Sequence, residues 1–189
     1  MEEKKLRALM KLAHALEGEN ILWGVGASLL LYLNGITDKF NDIDIVVAQS
    51  QAEKVDMALS EIGKKAPENP NASYATRHFY EYIIDGVEVD VMAGFTINTS
   101  DGSYLYDFDE SSVAQRRRIG TAQIPLCFVE DWYILYCLME HREVKTAAIE
   151  RYFSQEGIAA PQRFIKEYNK LSPVMIERLQ SILQDKKGN

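Results

Sequence analysis

Asp42 and Asp44 stand two residues apart in Asn41-Asp42-Ile43-Asp44-Ile45-Val46-Val47. The β-branched run predicts a strand, in which alternate side chains share a face. Both carboxylates then point one way, about 7 Å apart along the chain, while Ile43, Ile45 and Val47 take the buried face. Two like charges so placed repel. They become useful when a hard divalent cation lies between them, since Mg²⁺ takes oxygen ligands, typically a carboxylate or two plus substrate phosphates. Asp90 is the third member, in Val87-Glu88-Val89-Asp90-Val91. The valines form one face of that strand; Glu88, Asp90 and Met92 form the other. Asp85-Gly86 between the strand-like runs 79–84 and 87–92 predicts a two-residue hairpin turn. That turn sets Glu81 across from Asp90 on the same face. Negative charge so concentrated does not stabilise a strand, so it points to a cation or to proton transfer, with Glu81 and Glu88 as candidate bases or acceptor contacts.

The second chemical feature precedes the first. Ile21-Leu22-Trp23 reads as a short strand running into Gly24-Val25-Gly26-Ala27-Ser28. Gly26 lets a backbone approach a ligand without a Cβ. Ser28 opens an apolar helix through Leu33, and the free N–H groups and dipole of a helix start favour an anion. A triphosphate held there could lay its metal on Asp42 and Asp44. Ser28 as a simple cap is compatible with that role. A lone Asp-x-Asp is most often a solvated edge, and short glycine motifs arise by chance. The weight lies in their order: glycine turn, helix start, a strand with two aspartates, then a hairpin with a third.

The elements that must hold these residues follow from periodicity. Residues 3–16 repeat apolar side chains at helical spacing before Gly18, and 51–64 form a second amphipathic stretch. Pro67 to Ala75 reads as a loop. Residues 99–112 are polar without a clear period, 119–129 hold a further strand, and Glu130 to Phe153 is helical. Pro161 and Ser172-Pro173 mark later helix starts. Strands fill the first two-thirds and helices the last third. The expected fold class is therefore α+β: a mixed β-sheet flanked by helices over 1–128, followed by a small C-terminal helical bundle over 129–189.

Composition sets outer bounds. The chain has 189 residues, 47% apolar and 26% charged, which excludes disordered, collagenous and coiled-coil classes. Its net charge of −7 makes nucleic acid an unlikely general partner. No apolar run approaches the ~20 residues of a membrane helix, and the N-terminal MEEKKL has no apolar signal region. Cys127 and Cys137 make neither a disulfide framework nor a zinc site. Together these lead to the expectation of a cytoplasmic protein without a membrane partner.

Gly24-Val25-Gly26-Ala27-Ser28, Leu33-Asn34-Gly35, Asn41 to Val47 and Asp85 to Val91 together resemble the nucleotidyltransferase superfamily of DNA polymerase beta type. The spacing and the N-terminal helix most resemble the small members that adenylylate lincosamides and aminoglycosides, and also the toxin-type nucleotidyltransferases. Val129-Glu130-Asp131-Trp132 resembles a glutamate–aspartate element that opens an apolar helix in these groups. Toxin-type relatives carry a lysine in that helix and Arg-x-Lys-Asp after it. Here Tyr136 stands in the helix, and Arg142-Glu143-Val144-Lys145-Thr146 lacks the aspartate.

The resemblance implies transfer of a nucleoside monophosphate from a nucleoside triphosphate, ATP favoured, to a hydroxyl of a small antibiotic-like acceptor, with release of pyrophosphate. It implies that Asp42, Asp44 and Asp90 are catalytic and bind Mg²⁺, two ions in all. Nucleotide binding falls to Gly26, Ala27 and Ser28; Lys39, just before the Asp-x-Asp, could touch the triphosphate or simply sit in solvent. A catalytically degenerate nucleotide-binding relative and a toxin-type enzyme acting on tRNA or protein are the alternatives. Arg116-Arg117-Arg118 reads as a solvated helix face, and Arg77 and His78 stand close enough to the hairpin to reach the site. Tyr104, Tyr106 and Phe108 could pack the core or line an acceptor pocket; core packing is the expectation for Trp132 and Tyr136. His14 and His141 are given no role.

Overall fold

The structure is a computed structural model that describes residues 2–67, 74–100 and 102–184. Part of the 67–75 loop expectation and the extreme C-terminus lie outside the described residues. The helices are α1 (Glu2–Gly18), α2 (Ala27–Leu33), α3 (Ala52–Ser60), α4 (Val129–Leu138), α5 (Glu143–Glu156), α6 (Gln162–Glu167) and α7 (Pro173–Gln184). The strands are β1 (Trp23–Val25), β2 (Ile43–Val47), β3 (Lys64–Lys65), β4 (His78–Ile84), β5 (Val87–Ala93), β6 (Thr96–Thr99), β7 (Gly102–Leu105), β8 (Val113–Ile119) and β9 (Ala122–Cys127). The fold class is α+β, as the element pattern predicts.

Seven strands form one mixed sheet in the order β3-β4-β5-β2-β1-β9-β8, and β6-β7 make a separate hairpin. β2 runs parallel to β5 and antiparallel to β1, so the two aspartate-bearing strands are neighbours at the centre. The valine and isoleucine face predicted for β2 and β5 is fully buried: Ile43, Ile45, Val89 and Val91 have no exposed surface. α1 and α3 pack on the sheet, α1 through Leu9, Leu12 and Leu16. Burial of such residues, roughly 1.5–3 kcal/mol each, holds the layers together.

Four expectations change on contact with the structure. The predicted helix 130–153 is two helices, broken at Met139 to Arg142, where His141 takes φ +57°. The arginine run lies on β8, an edge strand, not on a helix. Charge at an edge is explained by sheet architecture, since it discourages edge-to-edge pairing. The region expected to be irregular, 99–112, contains β7 and the end of β6. The amphipathic stretch 51–64 stops as a helix at Ser60 and enters β3.

The start of α4 is tied down by buried charge. Asp131 accepts hydrogen bonds from Arg163 Nε (2.8 Å) and Nη2 (2.5 Å) and from the Tyr106 hydroxyl (2.8 Å). Arg163 also donates to the Ser111 carbonyl (3.0 Å) and lies over the Phe128 ring. Glu130 accepts from the Ala160 backbone N–H at 2.7 Å. Tyr104 donates to Glu167 at 3.0 Å. The Glu130-Asp131 pair thus ties the α6 segment and Tyr106 to α4, and Tyr104 and Tyr106 are buried bonding partners that do not line the cleft at the aspartates.

Candidate active site

Strand register builds the site. Asp44 of β2 pairs with Asp90 of β5, and Asp90 pairs with Glu81 of β4. Partners in register share a face, so these carboxylates form one row across three adjacent strands. Asp42, expected on the strand with Asp44, stands just before β2. Asp42, Asp44 and Asp90 each offer a carboxylate oxygen, and those atoms lie within 4.8 Å of one another. No other group of three or more acidic, cysteine or histidine side chains among the described residues is so arranged. All-oxygen donors at this spacing fit a hard divalent cation. The row opens onto a cleft of about 780 Å³ between the sheet and the α4–α5 segment.

The cost of gathering the acids is visible in their protonation. Asp44 is pushed well above the usual carboxylate range, first by burial, then by Asp42 and Asp90, with Lys145 pulling the other way. Asp90 is raised to about 7 by burial, then by Asp42, Glu81 and Glu88. Lys145 enters the cleft from α5 and donates to the Tyr136 hydroxyl at 3.3 Å. Burial lowers its pKa, and the attraction of Asp44 opposes that. Perturbed groups of both signs facing one cleft are a mark of a functional site.

The glycine turn has a different local cause from the one its sequence suggests. A Cβ on Gly26 would lie 1.9 Å from the Trp132 ring, so its missing side chain makes room for the indole of α4. Gly26 caps α2 with extended backbone, and its N–H donates to the Asp44 carbonyl at 3.0 Å. Ala27 lines the cleft and takes φ +45°, a left-handed conformation that costs a non-glycine residue about 1–2 kcal/mol. Ser28 is the second residue of α2 and not its cap. Its buried hydroxyl donates to Asp42 Oδ1 at 3.3 Å, linking the turn to the aspartates.

Of the predicted site residues, Asp42, Asp44, Asp90, Glu81 and Ala27 line the cleft. Gly26 and Ser28 support it from behind. Glu88 and Lys39 are both exposed and outside the lining. Arg77 and His78 also line it, as do Trp132 and Tyr136, although both aromatic rings are buried. Sequence reasoning gave no role to Lys145 or Arg142, which supply positive charge opposite the aspartates. Their signal is slight: basic residues at the start of an ordinary exposed helix.

The profile of the family described as aminoglycoside-2''-adenylyltransferase matches residues 8–151. No curated protein matches the chain. Among solved structures, a candidate nucleotidyltransferase from Thermotoga maritima is 26% identical, with a TM-score of 0.63 over 82% of this chain and 96% of that one. The antibiotic-resistance factor ANT(2'')-Ia, solved in complex with adenylyl-2''-tobramycin, aligns with TM-score 0.52 at 13% identity, over 97% of this chain and 98% of that one. The lincosamide antibiotic adenylyltransferase LnuA, solved with lincomycin, aligns with TM-score 0.52 at 14% identity, over 76% of this chain and 95% of that one. The last two share the fold. With the profile covering most of the chain, the protein is a nucleotidyltransferase and belongs to the aminoglycoside-2''-adenylyltransferase family.

Proposed function

We propose that the chain transfers AMP from ATP to a hydroxyl of a small, antibiotic-type acceptor in a magnesium-dependent reaction. The observation that carries this reading is the convergence of Asp42, Asp44 and Asp90 within 4.8 Å at the wall of the cleft. In this reading the three carboxylates would hold two Mg²⁺ ions, which when bound would supply charge neutralisation for the triphosphate and for the leaving pyrophosphate. Ala27 and the start of α2, with Lys145 and Arg142 opposite, hold the phosphates. The acceptor oxygen attacks the α-phosphorus and forms the new P–O bond. The bond between the α-phosphorus and the bridging oxygen breaks, and pyrophosphate leaves with the electron pair. Asp90 either helps hold the second ion, the hydroxyl proton then passing to water, or accepts that proton itself.

The test is pyrophosphate release from ATP with a panel of hydroxylated antibiotics, with Mg²⁺ or EDTA, for the wild type and Asp44→Asn. Metal-dependent release lost in the variant supports the proposal. Release that survives EDTA or Asp44→Asn contradicts it.

A further inference from the structure

Trp132, in the first turn of α4, is buried in the core and still forms part of the cleft wall. One side of its indole lies beneath the glycine turn. A Cβ on Gly26 would run into Cζ2, Cε2 and Nε1 of the ring. A side chain at position 26 therefore points into the indole, and Gly26 does not line the cleft. The next residue does: Ala27 sits in the lining at φ +45°. The ring thus fixes how far back the turn can move and where it presents Ala27 and the start of α2.

The other side of the indole meets the aromatic rings that carry Lys145. Trp132 stacks on Phe95 at 6.1 Å and 27°, and it meets Tyr136, one helical turn on, at 5.6 Å. The Tyr136 hydroxyl accepts a hydrogen bond from Lys145 Nζ at 3.3 Å, and that ammonium lies 5.0 Å from the centre of the Tyr136 ring. The indole cannot drift as a whole, because its neighbours in sequence are held: Asp131 by Arg163 and Tyr106, Glu130 by the Ala160 N–H. A close-packed interior of this kind transmits a displacement from one contact to the next.

We infer that Trp132 is a positioning residue for the nucleotide: its indole sets the separation between the glycine turn on one side of the triphosphate and Lys145 on the other. This rests on the reading of the triad as the metal and triphosphate site. Trp132 itself touches no ligand. Position 26 is glycine on account of the ring beneath it, not on account of phosphates above it.

Calorimetric titration of the full chain with Mg²⁺ and a non-hydrolysable ATP analogue separates positioning from folding. A side chain that only stabilises the fold alters the melting temperature and the number of sites per chain, and leaves the Kd of the folded chain alone. Trp132→Phe keeps an apolar ring and removes the outer part of the indole under Gly26. Well below its melting temperature it is expected to bind the analogue about tenfold more weakly, a difference of about 1.4 kcal/mol, with unchanged stoichiometry. Gly26→Ala is expected to weaken binding by a similar factor. Trp132→Leu lacks Cζ2, Cε2 and Nε1, so the methyl of Gly26→Ala has room beside it. The double variant Gly26→Ala/Trp132→Leu is therefore expected to bind at least about threefold more tightly than the two single losses multiplied together, the mark of coupled residues. A Trp132→Phe Kd equal to that of the wild type, or losses that simply multiply, overturns the inference. If Trp132→Leu does not fold, the Trp132→Phe titration decides alone. Asp44→Asn, titrated alongside, reports on the triad. Wild type binding no better than Asp44→Asn brings down the reading of the triad and the inference with it. Binding lost in Asp44→Asn and intact in Trp132→Phe brings down the inference alone.

Discussion

Asp44 and Asp90 carry opposite consequences for stability and for function. Their repulsion is a cost in the metal-free fold, so Asp44→Asn is expected to leave the apo melting temperature unchanged or higher. The same substitution should abolish the stabilisation given by ATP with Mg²⁺ and reduce transfer by on the order of 10²–10³, as loss of one electrostatic contact to a transition state does. A clear fall in apo melting temperature would assign Asp44 a structural role instead. Asp90 adds a pH dependence. Its carboxyl is raised from 3.8 to about 7, so the folded chain keeps a proton that the unfolded chain releases. Between those values the folded state binds more protons, and its apo stability falls as pH rises. Thermal unfolding of wild type and Asp90→Asn between pH 4 and 8 should show a downward slope through that window in the wild type, diminished in the variant. Ala27 gives a third expectation at this scale. At φ +45° it is strained, and Ala27→Gly should raise stability by up to ~1 kcal/mol, the relief offset in part by the entropy of glycine.

The turns and helix starts that carry these residues were only partly legible. The β4–β5 hairpin was, because Asp85-Gly86 fixes the turn and the turn fixes the register of Glu81 with Asp90. The glycine turn was legible as a feature but not in its cause, since the partner that excludes a side chain from Gly26 is Trp132, distant in sequence. Gly26→Ala should therefore lose about 1–3 kcal/mol through overpacking against the indole, visible as a lower denaturation midpoint. The break between α4 and α5 was illegible: it falls at His141 with positive φ, without the glycine or proline that would announce it. That break sets Arg142 and Lys145 at the start of α5, facing the aspartates, which is why neither was found from spacing. The arginines of β8 mislead for a related reason, since an edge strand and a helix face tolerate the same charges. At the α4–α6 contact, Arg163→Met should cost about 3–5 kcal/mol by leaving the buried Asp131 carboxylate without its ion pair.

At the scale of the whole molecule, composition and topology say different things about charge. A net −7 chain brings Asp42, Asp44, Glu81 and Asp90 to one cleft and still presents Arg77, Arg142 and Lys145 to it. Overall charge could not show that, because the balance is struck between strands and a helix far apart in sequence. We propose that the α/β part, 1–128, and the helical region, 129–189, fold as one unit, since Trp132 fills the space at Gly26 and Asp131 binds Tyr106 across that boundary. Residues 1–128 expressed alone should lack a cooperative unfolding transition. The most direct test of the account is a thermal-shift comparison of wild type and Asp44→Asn with ATP, in Mg²⁺ and in EDTA, because a ligand that binds only the folded state raises its melting temperature. The account predicts a rise that needs both Mg²⁺ and Asp44. A rise that persists in EDTA or in the variant, or no rise with Mg²⁺ and ATP, would contradict it.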